Sequence, residues 1–292
     1  MVAKGSRQGL KASIRSGRAL IGSYVTFASP EIVELFAYAG MDYVIIDLQH
    51  ASPDWQTMAH MLRAADAGGV SSVVRMHAHD PALILKILEL GAEGICLAGV
   101  TGAPDVLAAV DAVYYPPLGH RGSCGHTRVG GYNSQRSEFP GHVRRQNERV
   151  VLWTIVEHPN AIRRVGEIAA VRPGADVISV GRGDLSTALG LGGQVDHPDV
   201  IAANEGVIKE VQIKSGGQCA SAVMIQRTDD VAPWLERGCR LFTYAADAIL
   251  LMEAARGAVE TFQSSLSGAS PPDPDRDGNT CVLPVMDDSG PK

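Results

Sequence analysis

Five polar or charged side chains each follow directly on a run of apolar residues, where a buried strand would end. IIDLQH supplies Asp47 and His50, VVRM supplies Arg75, TIVEH supplies Glu157 and SVGRGDLS supplies Asp184. Paired carboxylates suit a hard divalent cation such as Mg²⁺ or Mn²⁺. A histidine that titrates near neutrality suits proton transfer, and an arginine can grip a carboxylate or stabilise a developing enolate. The pattern predicts metal-assisted acid–base chemistry.

Each of these residues also has a structural interpretation. Glu157 and Asp184 could cap the helices that follow them, since carboxylates are common caps. Arg75 could form an ion pair with Asp47 or Glu89. The combination of carboxylates, histidine and arginine at strand ends favours metal binding over capping.

The elements that would position these residues alternate regularly along the chain. Short, largely apolar runs predict buried parallel strands at 21–27, 43–48, 72–76, 94–98, 150–156, 176–180, 219–224 and 241–245. Helical patterns are predicted at 30–38, 54–67, 81–90, 104–113, 159–171, 200–214, 228–237 and 248–262. This α/β alternation predicts a (β/α)8 TIM barrel or a doubly wound sheet. Because no GxGxxG follows the first strand and the strands number eight, the barrel is favoured, with its site at the strands' C-terminal ends.

Length and composition limit the class of protein. The chain has 292 residues, 45% of them hydrophobic, and a net charge of −6. That length is typical of one barrel, and the acidic balance argues against nucleic acid or an anionic membrane as partner. Five cysteines without a CxxC motif, no signal-peptide pattern and no long apolar span predict a soluble, cytoplasmic protein.

Two segments depart from the alternation. We predict one catalytic domain over residues 1–263 and a disordered tail over 264–292, which is rich in Pro, Gly, Ser and Asp. Residues 116–149 form a long insertion between the fourth and fifth strands. Its segment YYPPLGHRGSCGHTR includes Arg121 and predicts a substrate-facing lid or anion-binding loop, with a basic surface loop as the alternative.

The chain resembles the HpcH/HpaI aldolases, class II pyruvate aldolases that act on 2-oxo-3-deoxy acids such as 4-hydroxy-2-oxoheptanedioate. The resemblance runs from about residue 10 to 262. The matching stretches are PEIVELFAYAGMDYVIIDLQH, VVRMHAHDPALILKILELGAEG, YYPPLGHRG, IVE and GRGDLSTALGLGGQVDHPDV. It implies a barrel of the phosphoenolpyruvate/pyruvate type. It also implies a homo-oligomer, a hexamer or trimer of dimers, in which C-terminal helices are exchanged between subunits.

The resemblance implies a role for each candidate residue. Glu157 and Asp184 match the two metal ligands, with Mg²⁺ or Mn²⁺ as the cofactor and Co²⁺ as a further candidate. Arg75 matches the arginine at the ketone oxygen. His50 matches the histidine of a proton-transfer dyad whose partner, normally Asp, is Glu89 here.

A second group of residues is expected to contact the substrate. The backbone of Gly181, Arg182 and Gly183 matches the segment that receives the pyruvyl carboxylate, and Asp47, Gln49 and Arg121 complete the expected binding residues. The implied reaction is aldol cleavage or condensation of a 4-hydroxy-2-oxo acid, giving pyruvate or a related 2-oxo acid and an aldehyde through a metal-stabilised enolate.

Several residues depart from the family pattern. The usual VPMV after the fourth strand is LAGV here, with Ala98 and Gly99. Arg182 stands in the usual Gly-Pro-Ala-Asp, and Ile155 replaces a frequent polar residue. Arg182 adds charge and LAGV widens the pocket, so we expect a substrate that differs from those of typical members. One alternative is a biosynthetic enolate-condensing or oxaloacetate-decarboxylating synthase on the same barrel. A non-catalytic protein that binds a 2-oxo acid is another.

Overall fold

The computed structural model describes residues 8–77, 79–134 and 136–268. Its eight strands pair in chain order, each parallel to the next, and the eighth closes on the first. They are β1 (Leu20–Val25), β2 (Tyr43–Asp47), β3 (Ser71–His77), β4 (Gly94–Ala98), β5 (Val151–Val156), β6 (Val177–Val180), β7 (Ala220–Ile225) and β8 (Leu241–Ala246). The predicted (β/α)8 barrel is confirmed. β2, β4, β5 and β6 are buried along their whole length, as strands covered on both faces require.

Helices connect the strands. They are α1 (Leu10–Arg15), α2 (Pro30–Tyr38), α3 (Trp55–Gly68), α4 (Pro81–Glu89), α5 (Ala103–Val113), α6 (Phe139–Arg149), α7 (Pro159–Arg163), α8 (Val165–Ala170), α9 (Arg182–Ala188), α10 (Pro198–Lys214), α11 (Val231–Glu236) and α12 (Asp247–Gly268). Short 3₁₀ turns lie at Gly131–Asn133, Arg136–Glu138 and Thr228–Asp230. The start of α4 shows how the sequence sets a boundary, since the Asp80 carboxylate accepts the N–H groups of Ala82 and Leu83 before Pro81 begins the helix.

The structure corrects several predicted elements. The single helix predicted over 159–171 is two helices that meet at Arg164, and the one over 228–237 begins with a 3₁₀ turn. The predicted insertion is partly helical, because residues 139–149 form α6. That helix, FPGHVRRQNER, has no fully buried residue, and its two large apolar side chains, Phe139 and Val143, are too few to have revealed it. α1 and α9 are too short to show a clear period.

The interior of the barrel is filled from one end by α1. Leu10 and Ile14 pack into the cluster of side chains inside the strands. Lys11 donates from Nζ to the Tyr114 hydroxyl at 2.9 Å and forms a buried ion pair with Asp176 at 3.0 Å. Because Asp176 directly precedes β6, α1 closes the end at which the strands begin. The opposite end stays open for a site.

The compact unit that holds the barrel ends at Leu250, and a second unit begins at Leu251. α12 continues to Gly268, so residues 264–268 of the expected tail are helical, and 269–292 lie outside the described residues. Five large apolar side chains of α12 are exposed: Leu251, Met252, Val259, Phe262 and Leu266. None of the helices in the described part of the chain is long and apolar enough to cross a membrane.

Candidate active site

A cavity of about 320 Å³ opens at the C-terminal ends of the strands. The polar ends of β3, β5 and β6 line one side of it, and residues after β7 line the other. Six of the predicted site residues line this cavity: Arg75, Glu157, Gly181, Arg182, Gly183 and Asp184. The barrel thus brings these six together at the end where barrel enzymes carry their chemistry.

The carboxyl groups of Glu157 and Asp184 line the same cavity and lie close enough to influence each other's charge. Glu157 directly follows β5, whereas Asp184 lies inside the first turn of α9. Neither caps a helix. His158 caps α7 by accepting the Asn160 N–H at 3.2 Å, and Gly181 stands at the cap position of α9. The capping interpretation of the two carboxylates is therefore wrong for this fold.

The electrostatics of this pair favour a cation. Burial raises the pKa of Glu157 to about 7, and the negative charge of Asp184 acts in the same direction. The Gly99 N–H and the charge of Arg75 oppose this shift. A divalent cation would relieve the repulsion between the two carboxylates, so the residues fit a metal ion.

The composition of the pair indicates what kind of ion would bind. Among residues 8–77, 79–134 and 136–268, no three or more His, Cys, Asp or Glu side chains cluster around one point. Two carboxylates leave the remaining coordination positions to oxygen atoms of substrate and water, which Mg²⁺ and Mn²⁺ prefer. Glu157 and Asp184 would hold such an ion.

The raised pKa predicts a pH dependence of stability for the metal-free protein. A carboxyl group whose pKa is higher in the folded than in the unfolded state destabilises the fold as pH rises from 4.5 to about 7. After allowance for the partial exposure of Glu157, the loss is on the order of 1–2 kcal/mol. Burial also raises the pKa of Asp176, so Asp176 adds its own pH dependence to the stability of both proteins. The contribution of Glu157 is therefore the difference between the free energies of unfolding of the wild type and of Glu157→Gln at each pH. Thermal unfolding in chelator from pH 4.5 to 8 measures it, and parallel curves for the two proteins would contradict the prediction.

Arg75 is held rigidly beside the carboxylate pair. β2 and β3 pair in a register that places Asp47 opposite Arg75. Arg75 donates from Nε to Asp47 Oδ1 at 2.9 Å and from Nη2 to Oδ2 at 2.6 Å, and its guanidinium lies over the Tyr24 ring at 4.3 Å. Burial opposes the charge on Asp47, but these bonds and the Gln49 N–H keep its pKa below the ordinary value. The Asp47 ion pair is real, and it orients the guanidinium that lines the cavity.

The remaining predicted residues lie outside the cavity lining. His50 is exposed and Gln49 half-buried on the segment after β2. Glu89 ends α4, the helix that leads back to the start of β4, so one chain does not bring Glu89 to His50. Its charge acts instead on Arg121, which is only 4% exposed and lies over the Tyr115 ring at 4.5 Å.

Arg182 lies in the cavity wall with its charge partly compensated. It donates from Nη2 to the Met224 carbonyl at 2.6 Å and from Nη1 to Asp196 Oδ1 at 3.2 Å. Sequence reasoning missed several other lining residues, among them Tyr24, Trp153, Ser179, Thr243, Gln226 and Arg227. Those of the missed residues that lie on strands could have been found from the sequence, because side chains alternate along a strand and every second one points into the barrel.

Gly99, one of the departures from the family pattern, supports Glu157 directly. Its φ is +73°, and its backbone N–H lies close enough to the Glu157 carboxylate to lower that group's pKa. A Cβ at this position would lie 2.7 Å from Cε1 of His77 and 3.7 Å from Oε1 of Glu157. The absence of a side chain lets the His77 ring lie beside the carboxylate site, a placement that the sequence did not reveal.

Gly99→Ala is therefore expected to disturb the carboxylate pair. The positive φ alone costs about 1 kcal/mol in an alanine, and the contact with His77 adds displacement of the loop beside Glu157. Gly17→Ala is the matched control, because Gly17 also has φ +73° but nothing lies within 4 Å of its added Cβ. Both variants should lose thermal stability through the strained φ, Gly99→Ala the more because of the contact with His77, and only Gly99→Ala should bind Mn²⁺ more weakly in a calorimetric titration. Equal Mn²⁺ affinity in the two variants would contradict this expectation.

The fold and site define a (β/α)8-barrel protein with a carboxylate pair and an arginine at its strand ends. The family model for HpcH/HpaI aldolase/citrate lyase matches residues 20–254, and the chain belongs to this family. It is 33% identical over 261 residues to a hydroxypyruvate/pyruvate aldolase of Pseudomonas aeruginosa, covering 89% of this chain and 94% of that protein. It is 30% identical over 264 residues to the 4-hydroxy-2-oxo-heptane-1,7-dioate aldolase of Escherichia coli, covering 89% and 97%. The crystal structure of an HpcH/HpaI aldolase from Desulfitobacterium hafniense superposes with a TM-score of 0.80 at 28% identity, covering 88% and 97%.

Proposed function

We propose that this protein is a divalent-metal-dependent aldolase. It would cleave a 4-hydroxy-2-oxo acid to pyruvate or a related 2-oxo acid and an aldehyde, or catalyse the reverse condensation. The observation that carries the proposal is the close pair of carboxyl groups on Glu157 and Asp184, in one cavity with the fixed guanidinium of Arg75. Membership of an aldolase and lyase family supports it.

The residues of the cavity would divide the work. Glu157 and Asp184 would hold Mg²⁺ or Mn²⁺, which when bound supplies Lewis-acid polarisation of the 2-oxo acid. Arg75 would donate to the ketone oxygen and stabilise the charge that develops there as the carbon–carbon bond breaks. The backbone N–H groups of Arg182 and Gly183, in the first turn of α9, would receive the substrate carboxylate, because the Gly181 N–H already donates to the Val156 carbonyl at 3.0 Å.

Proton transfer at the aldol hydroxyl is assigned to His50. If Glu89 is its partner, the carboxylate must come from a second copy of the chain, because α4 carries Glu89 away from the open end. We propose a homo-oligomer for this reason, and the exposed apolar side chains of α12 support an exchanged C-terminal helix.

Complementation tests whether Glu89 acts between subunits. His50→Ala and Glu89→Ala are each expected to be poorly active alone. Assemblies formed from both variants should regain part of the activity, because some sites then combine an intact His50 with an intact Glu89 from another chain. Mixtures that stay as inactive as the single variants would contradict the shared site.

The proposed reaction is tested by the exchange of the pyruvate methyl protons with solvent deuterium, followed by NMR with Mg²⁺ or Mn²⁺. Wild type should exchange them, and Glu157→Ala and His50→Ala should not. A wild type that shows no exchange with any divalent metal would overturn the aldolase. Decarboxylation of oxaloacetate with trapping of the enolate would favour the enolate-condensing synthase. Binding of a 2-oxo acid without turnover would favour a non-catalytic binding protein.

Cytoplasmic location stays a prediction.

A further inference from the structure

Tyr24 occupies the floor of the cavity without an assigned role. It lies near the C-terminal end of β1, and its ring lies under the Arg75 guanidinium at 4.3 Å. The residue is half-buried and lines the same cavity as Glu157 and Asp184. No group in the described part of the chain is hydrogen-bonded to its hydroxyl, which is thus left available to a molecule in the cavity.

Two other tyrosines inside the fold, Tyr43 and Tyr114, differ in this respect. The Tyr43 hydroxyl is paired with Thr243 Oγ1 at 3.0 Å, and the Tyr114 hydroxyl accepts from Lys11 and donates to Asp176. Buried phenols normally find such partners. A tyrosine that lacks one, at the floor of the cavity beside an arginine, is equipped to donate to a bound molecule.

The surroundings keep the Tyr24 phenol neutral. Burial raises its pKa, and the nearby acidic groups Cys96, Asp47 and Glu157 raise it further, against the opposing charge of Arg75. At neutral pH the hydroxyl therefore carries its proton and acts as a donor. A neutral donor of fixed position binds an oxygen more strongly as that oxygen gains negative charge.

We propose that Tyr24 is a catalytic residue whose hydroxyl donates a hydrogen bond to the substrate oxygen on which charge develops, beside the Arg75 guanidinium. This inference rests on the proposed aldolase function and adds a second protein donor for the enolate oxygen of a 2-oxo acid. Arg75 supplies a charged donor from above the ring, and Tyr24 supplies a neutral donor from the floor.

Tyr24→Phe removes the hydroxyl and keeps the ring under Arg75. In the presence of Mn²⁺, kcat for aldol cleavage should fall by about 10²-fold, as expected for the loss of one oxyanion donor, with little change in KM. Oxalate, a planar dianion that mimics the enolate of pyruvate, should lose more affinity than pyruvate. Tyr114→Phe is the control, because it removes a buried phenol that is already paired and lies outside the cavity, and it should leave the ratio of oxalate to pyruvate affinity unchanged.

The affinity ratio decides the test even when a variant is only partly folded, because it does not depend on the active fraction. If oxalate and pyruvate lose affinity for Tyr24→Phe by the same factor, or if neither loses affinity, the ratio of the two affinities is unchanged and the catalytic role of Tyr24 is overturned. A wild type that exchanges no pyruvate protons with any metal overturns the aldolase itself, and the two failures are thereby distinguished.

Discussion

Glutamine in place of Glu157 is expected to abolish divalent-metal binding and to make the metal-free protein more stable above pH 7. The amide has nearly the shape of the carboxylate but carries no charge. It therefore relieves the repulsion with Asp184 that contributes to the raised pKa of Glu157. The same change removes one of two anionic ligands, and loss of several kcal/mol of charge stabilisation should lower kcat by about 10³-fold or more. A pair of carboxylates that serves to bind a metal thus predicts that Glu157→Gln gains stability in the metal-free state and loses activity.

Calorimetric titration with Mn²⁺ and thermal unfolding in chelator measure the two effects. Asp184→Asn should behave like Glu157→Gln, because either change leaves a single carboxylate. Glu236→Gln, on the exposed end of α11, is the matched control and should change neither quantity. Unchanged Mn²⁺ affinity in Glu157→Gln, or a metal-free protein less stable than wild type at pH 8, would show that the pair has a structural purpose instead.

Arg75→Ala is expected to remove both activity and stability. Asp47 is fully buried and accepts both bonds of the Arg75 fork, so loss of the guanidinium leaves an unpaired buried charge that costs about 3 kcal/mol. Loss of the donor to the ketone oxygen should also lower kcat by about 10²- to 10³-fold. The double variant Arg75→Ala with Asp47→Asn separates the effects, since it should recover most of the stability and none of the activity.

Urea unfolding and steady-state kinetics on the two variants give both readouts. Arg75→Lys is a further check, because lysine keeps the charge but cannot donate to Asp47 through two parallel bonds. Recovery of activity in the double variant would mean that Arg75 serves only to neutralise Asp47, and its assignment to the substrate would then be wrong.

The strands were readable from sequence because a parallel barrel buries both faces of each strand. β4 was predicted with its observed bounds, and β2 within one residue, since GICLA and the YVII of β2 are largely apolar runs. α6 was missed because its side chains are largely polar, and the helix expected after Asp184 had no predicted bounds because seven residues are too few to show a period. The position of Asp184 inside the first turn of α9, rather than before it, was missed for the same reason.

The sequence by itself determined the order of strands and helices and the polar residues that end each strand, because these depend on patterns within a few neighbouring residues. Only the tertiary structure decided which of those residues meet. The register between β2 and β3 pairs Arg75 with Asp47 rather than Glu89. The pairing of β5 with β6 brings Glu157 beside Asp184, and the curvature of the sheet across β1, β2 and β3 places Tyr24 under Arg75. Such contacts join residues distant in the chain, and the strand register and sheet curvature that create them leave no local pattern.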